Sequence, residues 1–207
     1  MLLNSIERSL KRLKTDYVDL VQLHSCSEQE LRKAAVIDAL KQARDRGYTR
    51  YIGYSGDSRA AQYAVDCGAF DTLQTSVSIA DQEALDVTLP RAIEKNMGVI
   101  AKRPLANFAW VNGSRPPRDG YAYPYWERLQ KLKYDFLQKK PKESTATALR
   151  FTLSVPGVHT AIVGTTKPGR FAENASALKS GPLPKEQFES IRARWRQVAE
   201  PGWIGQI

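Results

Sequence analysis

Short apolar runs recur along the chain, each followed by a longer stretch in which apolar positions return every three or four residues. The first run, TDYVDLVQLH at 15–24, reads as a strand. RYIGYSG at 50–56, DTLQTSVSI at 71–79, GVIAKRP at 98–104 and HTAIVGT at 159–165 read as four more. Ahead of the first, Ile6, Leu10 and Leu13 share one helical face, and Asn4 with Glu7 is expected to cap that helix. Ser27 and Glu30 form a second capping box, opening a helix through Ile37, Leu40 and Ala43 that stops at Gly47. Asp57 or Ser58 is expected to cap a helix running to Cys67, and LPRAIEKN at 89–96 carries Pro90 in its first turn. Further helices are expected over 125–136, 144–154 and 185–198, with one more starting at Pro168.

Strands alternating with helices at this spacing imply a parallel sheet with right-handed crossovers. Two architectures satisfy that, an open doubly wound sheet and a (β/α) barrel. No GxGxxG follows the first strand, which speaks against the dinucleotide-binding Rossmann arrangement. The segment 108–124, FAWVNGSRPPRDGYAYP, breaks the rhythm and reads as a long loop after the fourth strand. Its Tyr and Trp residues either line a ligand mouth or pack the loop itself.

The 207 residues are 42% hydrophobic and 26% charged, enough to bury a core and sufficient for a single domain. No apolar run approaches a membrane span and residues 1–14 do not read as a secretory leader, so a cytoplasmic protein without a membrane partner is expected. Cys26 and Cys67 have no metal spacing, and no metal is expected. The net charge of +9 favours anionic partners. Apart from RARWR at 192–196 the cations are scattered, which makes nucleic acid an unlikely partner and leaves a phosphate-bearing cofactor.

The densest chemistry lies at IVGTTKPGRFAEN, 162–174, where a strand runs through Gly-Thr-Thr into a helix. Free amides and the positive helix end there suit an anion. Lys167 and Arg170 add two cations, and Arg170, Glu173 and Asn174 share one helix face. A capped helix with a solvated face would look the same. His24, at the end of the first strand, reads either as a site residue or as a hydrogen-bonded strand-end histidine.

Four stretches in order, SLKRLKTDYVDLVQLH, YIGYSG, GVIAKRPLAN and TAIVGTTKPGRFAEN, resemble the aldo-keto reductase family from about residue 5 to 178. Members are (β/α) barrels that reduce carbonyls with NADPH, so the resemblance implies a partial TIM barrel of class α/β, NADP(H) as cofactor and an aldehyde or ketone as substrate. It implies that His24 orients and polarises the carbonyl. Ser55 and Gln74 would hold the nicotinamide carboxamide, although Gly56 stands where the family usually has Asn. Gly164, Thr165, Lys167 and Arg170 would hold the adenosine 2′-phosphate, with Glu173 and Asn174 at the adenine. Many members carry Tyr-Ser-Pro-Leu on the seventh strand. This chain has Lys102-Arg103-Pro104-Leu105, so Arg103 would stack on the nicotinamide in place of the tyrosine.

The family's proton donor is a tyrosine backed by a lysine and an aspartate on the first three strands. The chain begins at the helix before the fourth, so those three βα units and their Asp, Tyr and Lys are expected to be missing from it. Tyr54 and Lys102 are the local groups that could replace the acid. A portion of a barrel also leaves two strand edges open, and self-association through them is expected. The alternative reading is a non-catalytic NADP(H)-binding or regulatory module.

Overall fold

A computed structural model describes residues 2–206. Among them five parallel strands form one open sheet in the order β1-β2-β3-β4-β5. The strands are β1 (Val18–His24), β2 (Thr49–Ser55), β3 (Thr72–Ser76), β4 (Gly98–Lys102) and β5 (Thr160–Ala161). Helix α1 (Leu2–Leu13) precedes β1, α2 (Glu28–Arg32) and α3 (Ala35–Asp45) join β1 to β2, and α4 (Ser58–Asp66) joins β2 to β3. Next come α5 (Glu83–Val87) and α6 (Leu89–Glu94) before β4, then α7 (Tyr123–Leu132) and α8 (Pro141–Leu153) before β5. Helices α9 (Arg170–Leu178) and α10 (Lys185–Val198) follow. This is the α/β class expected, an open parallel sheet consistent with part of a (β/α) barrel. No described helix is long and apolar enough to cross a membrane.

Side chains alternate across each strand, so each has two faces. Leu23, Ile52, Tyr54, Leu73, Val99 and Ala101 pack towards the helices with Leu40, Val65, Leu89 and Phe151. Burying each large apolar side chain there contributes about 1.5–3 kcal/mol. The other face carries Gln22 and His24, Tyr51 and Ser55, Gln74 and Ser76, Ile100 and Lys102. It is open to solvent in places: Tyr51 is 55% exposed, and Ile162 just past β5 is 51% exposed.

Several boundaries differ from the sequence reading for local reasons. Helix α1 starts at Leu2, so Asn4 lies inside it rather than at its cap. Ser27 caps as expected, accepting from the Glu30 amide at 3.2 Å, but Ala34 takes a φ of 61° and splits the helix into α2 and α3. The segment after β4 carries a 3-10 turn over Ala106–Asn112, and α7 ends where Lys133 adopts the left-handed conformation. β5 is two residues long, although His159 N to Val99 O and Ile162 N to Ala101 O extend its bonding to β4. Gly169, at φ 78°, makes the last turn before α9, which therefore starts at Arg170 and not at Pro168.

The sheet is tightest where Gly53 faces Thr72 across β2 and β3. A Cβ on Gly53 would overlap Thr72 Oγ1 and lie 3.1 Å from the Thr72 carbonyl oxygen. Gly53→Ala is expected to cost about 1–3 kcal/mol, as overpacking does, and to lower the urea midpoint with an unchanged slope.

Asp81, in the turn after β3, is almost completely buried. Tyr125 Oη donates to its carboxylate at 3.4 Å, and the Arg128 guanidinium stands 3.8 Å away. Burial pushes the Asp81 carboxyl up to about 8, with Arg128 opposing the rise. In the unfolded chain it ionises near its ordinary value of about 4. Between those values the folded state holds a proton that the unfolded state has lost, so stability falls as pH rises towards 8 and levels off above. Urea unfolding across that window is expected to show the slope in the native chain and a flatter profile in Asp81→Asn.

Candidate functional site

Parallel register lines up three of the expected site residues across the carboxyl end of the sheet. His24 pairs with Ser55, Ser55 with Gln74, and Gln74 with Ile100. All four lie on the face turned away from the helices. The Gln74 side-chain amide donates to Ser55 Oγ at 3.0 Å. That bond leaves the Ser55 hydroxyl hydrogen and the Gln74 side-chain oxygen Oε1 without a partner among the described residues, one donor beside one acceptor. A primary carboxamide needs that complement. The His24 side chain is exposed, and its imidazole makes no hydrogen bond to a described residue.

Gly56 has a packing reason. A Cβ there would sit 2.6 Å from Tyr54 Cε1 and 2.7 Å from Cζ. The chain therefore keeps either a larger residue at 56 or the Tyr54 ring in this place, not both. Its amide still donates to the Gln74 carbonyl at 3.0 Å, fixing the loop above the row. Tyr54 itself faces the helices, and its hydroxyl donates to the Cys26 carbonyl at 2.6 Å. Burial pushes its phenol well above the ordinary range. It has neither the position nor the acidity of a proton donor. Burial likewise pushes the Cys26 thiol up, which fits a plain small residue. His159 accepts from the Val99 amide at 3.1 Å and serves the sheet.

Beside the row stands a charged cluster that sequence reading did not foresee. Asp57 occupies the cap position of α4 but does not cap it. Its carboxylate instead accepts from Thr75 Oγ1 at 2.8 Å, the Ser76 amide at 2.7 Å and Ser76 Oγ at 3.2 Å. Lys102 Nζ lies 2.7 Å from it, with both side chains at or below 10% exposure. Arg103 is 3.7 Å away. The Arg103 guanidinium donates to Ser76 Oγ at 2.8 Å and to the Gln206 carbonyl at 2.5 Å, and it also bonds the Tyr121 hydroxyl. Pro104 and Leu105 are buried in the packing beneath, and the Pro104 carbonyl accepts from Thr152. The signal for the cluster was present: two adjacent cations ending a buried strand require an acid within reach.

At the far edge, Gly164, Thr165, Thr166, Lys167 and Arg170 line a cavity of about 410 Å³ whose other wall is Phe108, Val111, Pro141 and Thr145. Polar backbone and cations on one side, with apolar atoms on the other, suit a phosphorylated nucleoside. A Cβ on Gly164 would meet nothing within 4 Å, so its backbone is open to close approach by a ligand. Arg170 pairs with Glu173 at 2.9 Å and remains partly exposed, while Asn174 is buried on the same helix. Thr165 Oγ1 accepts from the Lys167 amide at 3.1 Å, which holds the turn. On this geometry the residues fit an adenosine phosphate. No group of acidic, His or Cys side chains among the described residues could hold a metal. The RARWR stretch is largely engaged inside the chain: Arg192 bonds Gln82 and Asp86, and Arg194 bonds the carbonyls that end α7.

Comparison with known proteins bears on the family and the fold. The chain is 28% identical to L-galactose dehydrogenase of Arabidopsis thaliana over 98% of its own length and 66% of that protein's. It is 29% identical to D-threo-aldose 1-dehydrogenase of a Pseudomonas species, over 83% of this chain and 55% of the relative. It thus spans less than two thirds of either relative. The holo form of aldo-keto reductase AKR11C1 from Bacillus halodurans superposes with a TM-score of 0.76 at 22% identity, covering 97% of this chain and 69% of that one. The model of the aldo/keto reductase family matches residues 1–196. The chain belongs to the aldo/keto reductase family.

Proposed function

We propose that the chain acts as one aldo-keto reductase-like oxidoreductase unit that binds NADP(H) and takes an aldehyde or ketone as substrate. The observation that carries the reading is the placement of two complementary sites on one sheet. A carboxamide-matching pair, Ser55 and Gln74, sits in register with His24 at one end. A cationic turn backed by an apolar wall sits past β5.

Lys167 and Arg170, with the Gly164 and Thr165 backbone, hold the 2′-phosphate; Arg170 can bind it through two parallel N–H bonds. Glu173 and Asn174 stand at the adenine, and Ser55 and Gln74 at the carboxamide. Arg103 borders the nicotinamide end, with Pro104 and Leu105 fixing the backbone that carries it. NADPH supplies the hydride when bound. His24 donates an N–H to the carbonyl oxygen and thereby orients and polarises it.

Proton delivery favours a second reading, a non-catalytic NADP(H)-binding module. Tyr54 is locked on the Cys26 carbonyl and Lys102 on Asp57, so neither reaches out to a carbonyl oxygen. Turnover without a partner chain would remove this second reading. The proposal also keeps self-association through the β1 and β5 edges, and light scattering that gives a monomer at micromolar concentration would end it.

Titrating the chain with NADPH and NADH, read by nicotinamide fluorescence, tests the main reading. NADPH is expected to bind more tightly than NADH. Arg170→Ala is expected to weaken NADPH by about ten- to a hundredfold, as the loss of a charged hydrogen bond of about 1.5–3 kcal/mol implies, and to leave NADH nearly unchanged. Equal weakening of both cofactors would place Arg170 away from the 2′-phosphate.

A further inference from the structure

Arg103 ends β4 on the side where the proposed function puts the nicotinamide, yet its guanidinium is occupied. Besides Ser76 and Tyr121 it holds the carbonyl of Gln206, a residue 103 positions away in sequence. The segment behind that contact is anchored at four points. Trp203 is buried against Trp195, their rings 5.3 Å apart. The Ile204 carbonyl accepts from Arg128 at 2.7 Å. The Gly205 amide donates to Glu83 at 3.3 Å. Gly205 also lies hard against Asp57, so that a Cβ there would be 2.6 Å from Oδ1 and nearer still to Cγ.

We propose that residues 204–206 form an autoinhibitory strap: in the closed state they mask Arg103, and a flat or anionic ligand gains its guanidinium only when the strap lifts. The identity of the excluded ligand rests on the cofactor reading above, whereas the masking of Arg103 does not. Both latches are backbone carbonyls accepting from guanidinium groups, so they hold whatever the side chains of the strap are. Trp203 stays docked as the hinge point, while Ile204 is 41% exposed and has little apolar burial to lose on opening. The Asp57 carboxylate, already satisfied by Thr75, Ser76 and Lys102, does not need the strap. Opening therefore breaks three charged hydrogen bonds, those of Arg103, Arg128 and Glu83 with the strap, while Arg103 keeps Ser76 and Asp57 and Arg128 keeps the Ala80 carbonyl. Apparent affinity then equals the intrinsic affinity multiplied by the open fraction.

Gly205 gives a way to lift the strap without touching any ligand-binding residue. Its φ is not among the positive values, so Ala is compatible with the backbone and excluded only by Asp57. In Gly205→Ala, phenylglyoxal is expected to modify Arg103 roughly fivefold faster or more, as release from a closed state populated at about 80% would give. Peptide mass spectrometry reads that rate. A chain ending at Trp203 is expected to behave in the same way and covers the case in which Gly205→Ala misfolds. The NADPH dissociation constant should fall by a similar factor in both.

An Arg103 rate that is the same in all three chains would overturn the strap. A faster rate with an unchanged NADPH constant would overturn the inhibition. A faster rate with no NADPH binding by any chain would overturn the cofactor reading and leave the strap standing.

Discussion

Asp57 is a carboxylate taken almost entirely out of water at the point where three strands end. An ion in that position costs several kcal/mol unless its oxygens are fully partnered. Its partners come from two segments, Thr75 and Ser76 at the end of β3 and Lys102 with Arg103 at the end of β4, while Asp57 itself opens α4 after β2. Satisfying that one group fixes the relative height of three strand ends. It also fixes the height of the row below them, where Ser55 and Gln74 bond each other. The carboxamide-matching pair is thus held by a constraint that touches neither of its members.

The sheet carries the rest of the geometry. Parallel pairing without slippage sets His24, Ser55 and Gln74 side by side, because a one-residue shift would turn one of them towards the helices. Gly53 keeps that register, since only the absence of a side chain lets Thr72 sit where it does. The two candidate sites, one at β1–β3 and one past β5, then belong to the same carboxyl edge. In a parallel α/β sheet that edge is where helices begin and strand amides are free, so it is where a ligand finds donors.

Much of the fold was legible because the apolar periods were strong. Leu23, Ile52, Leu73 and Val99 mark their strands, and the last helix over 185–198 matched to the residue. What sequence reading missed depended on single backbone torsions or on distant contacts. The break at Ala34 has no local signature, since alanine rarely takes a positive φ. The two-residue β5 reads as a longer strand because Ile162 and Val163 are apolar, but the bonding to β4 ends with the Ile162 amide. The segment 162–174 stood out in sequence as a candidate because its chemistry is contiguous, and five of its residues line one cavity. The Asp57 cluster did not, because its members are spread from position 57 to 206 and Asp57 imitates a helix cap. Gly56 read in sequence as a departure from the family's usual Asn, and in space it is a packing partner of Tyr54.

In the proposed function the turn past β5 holds an adenosine 2′-phosphate. The most direct measurement is a backbone-amide NMR titration of the chain with adenosine 2′,5′-bisphosphate, with adenosine 5′-monophosphate as the control. Saturable shifts confined to the amides of 164–174, much weaker with the monophosphate, are expected. Shifts centred elsewhere, or equal responses to both nucleotides, would contradict that assignment.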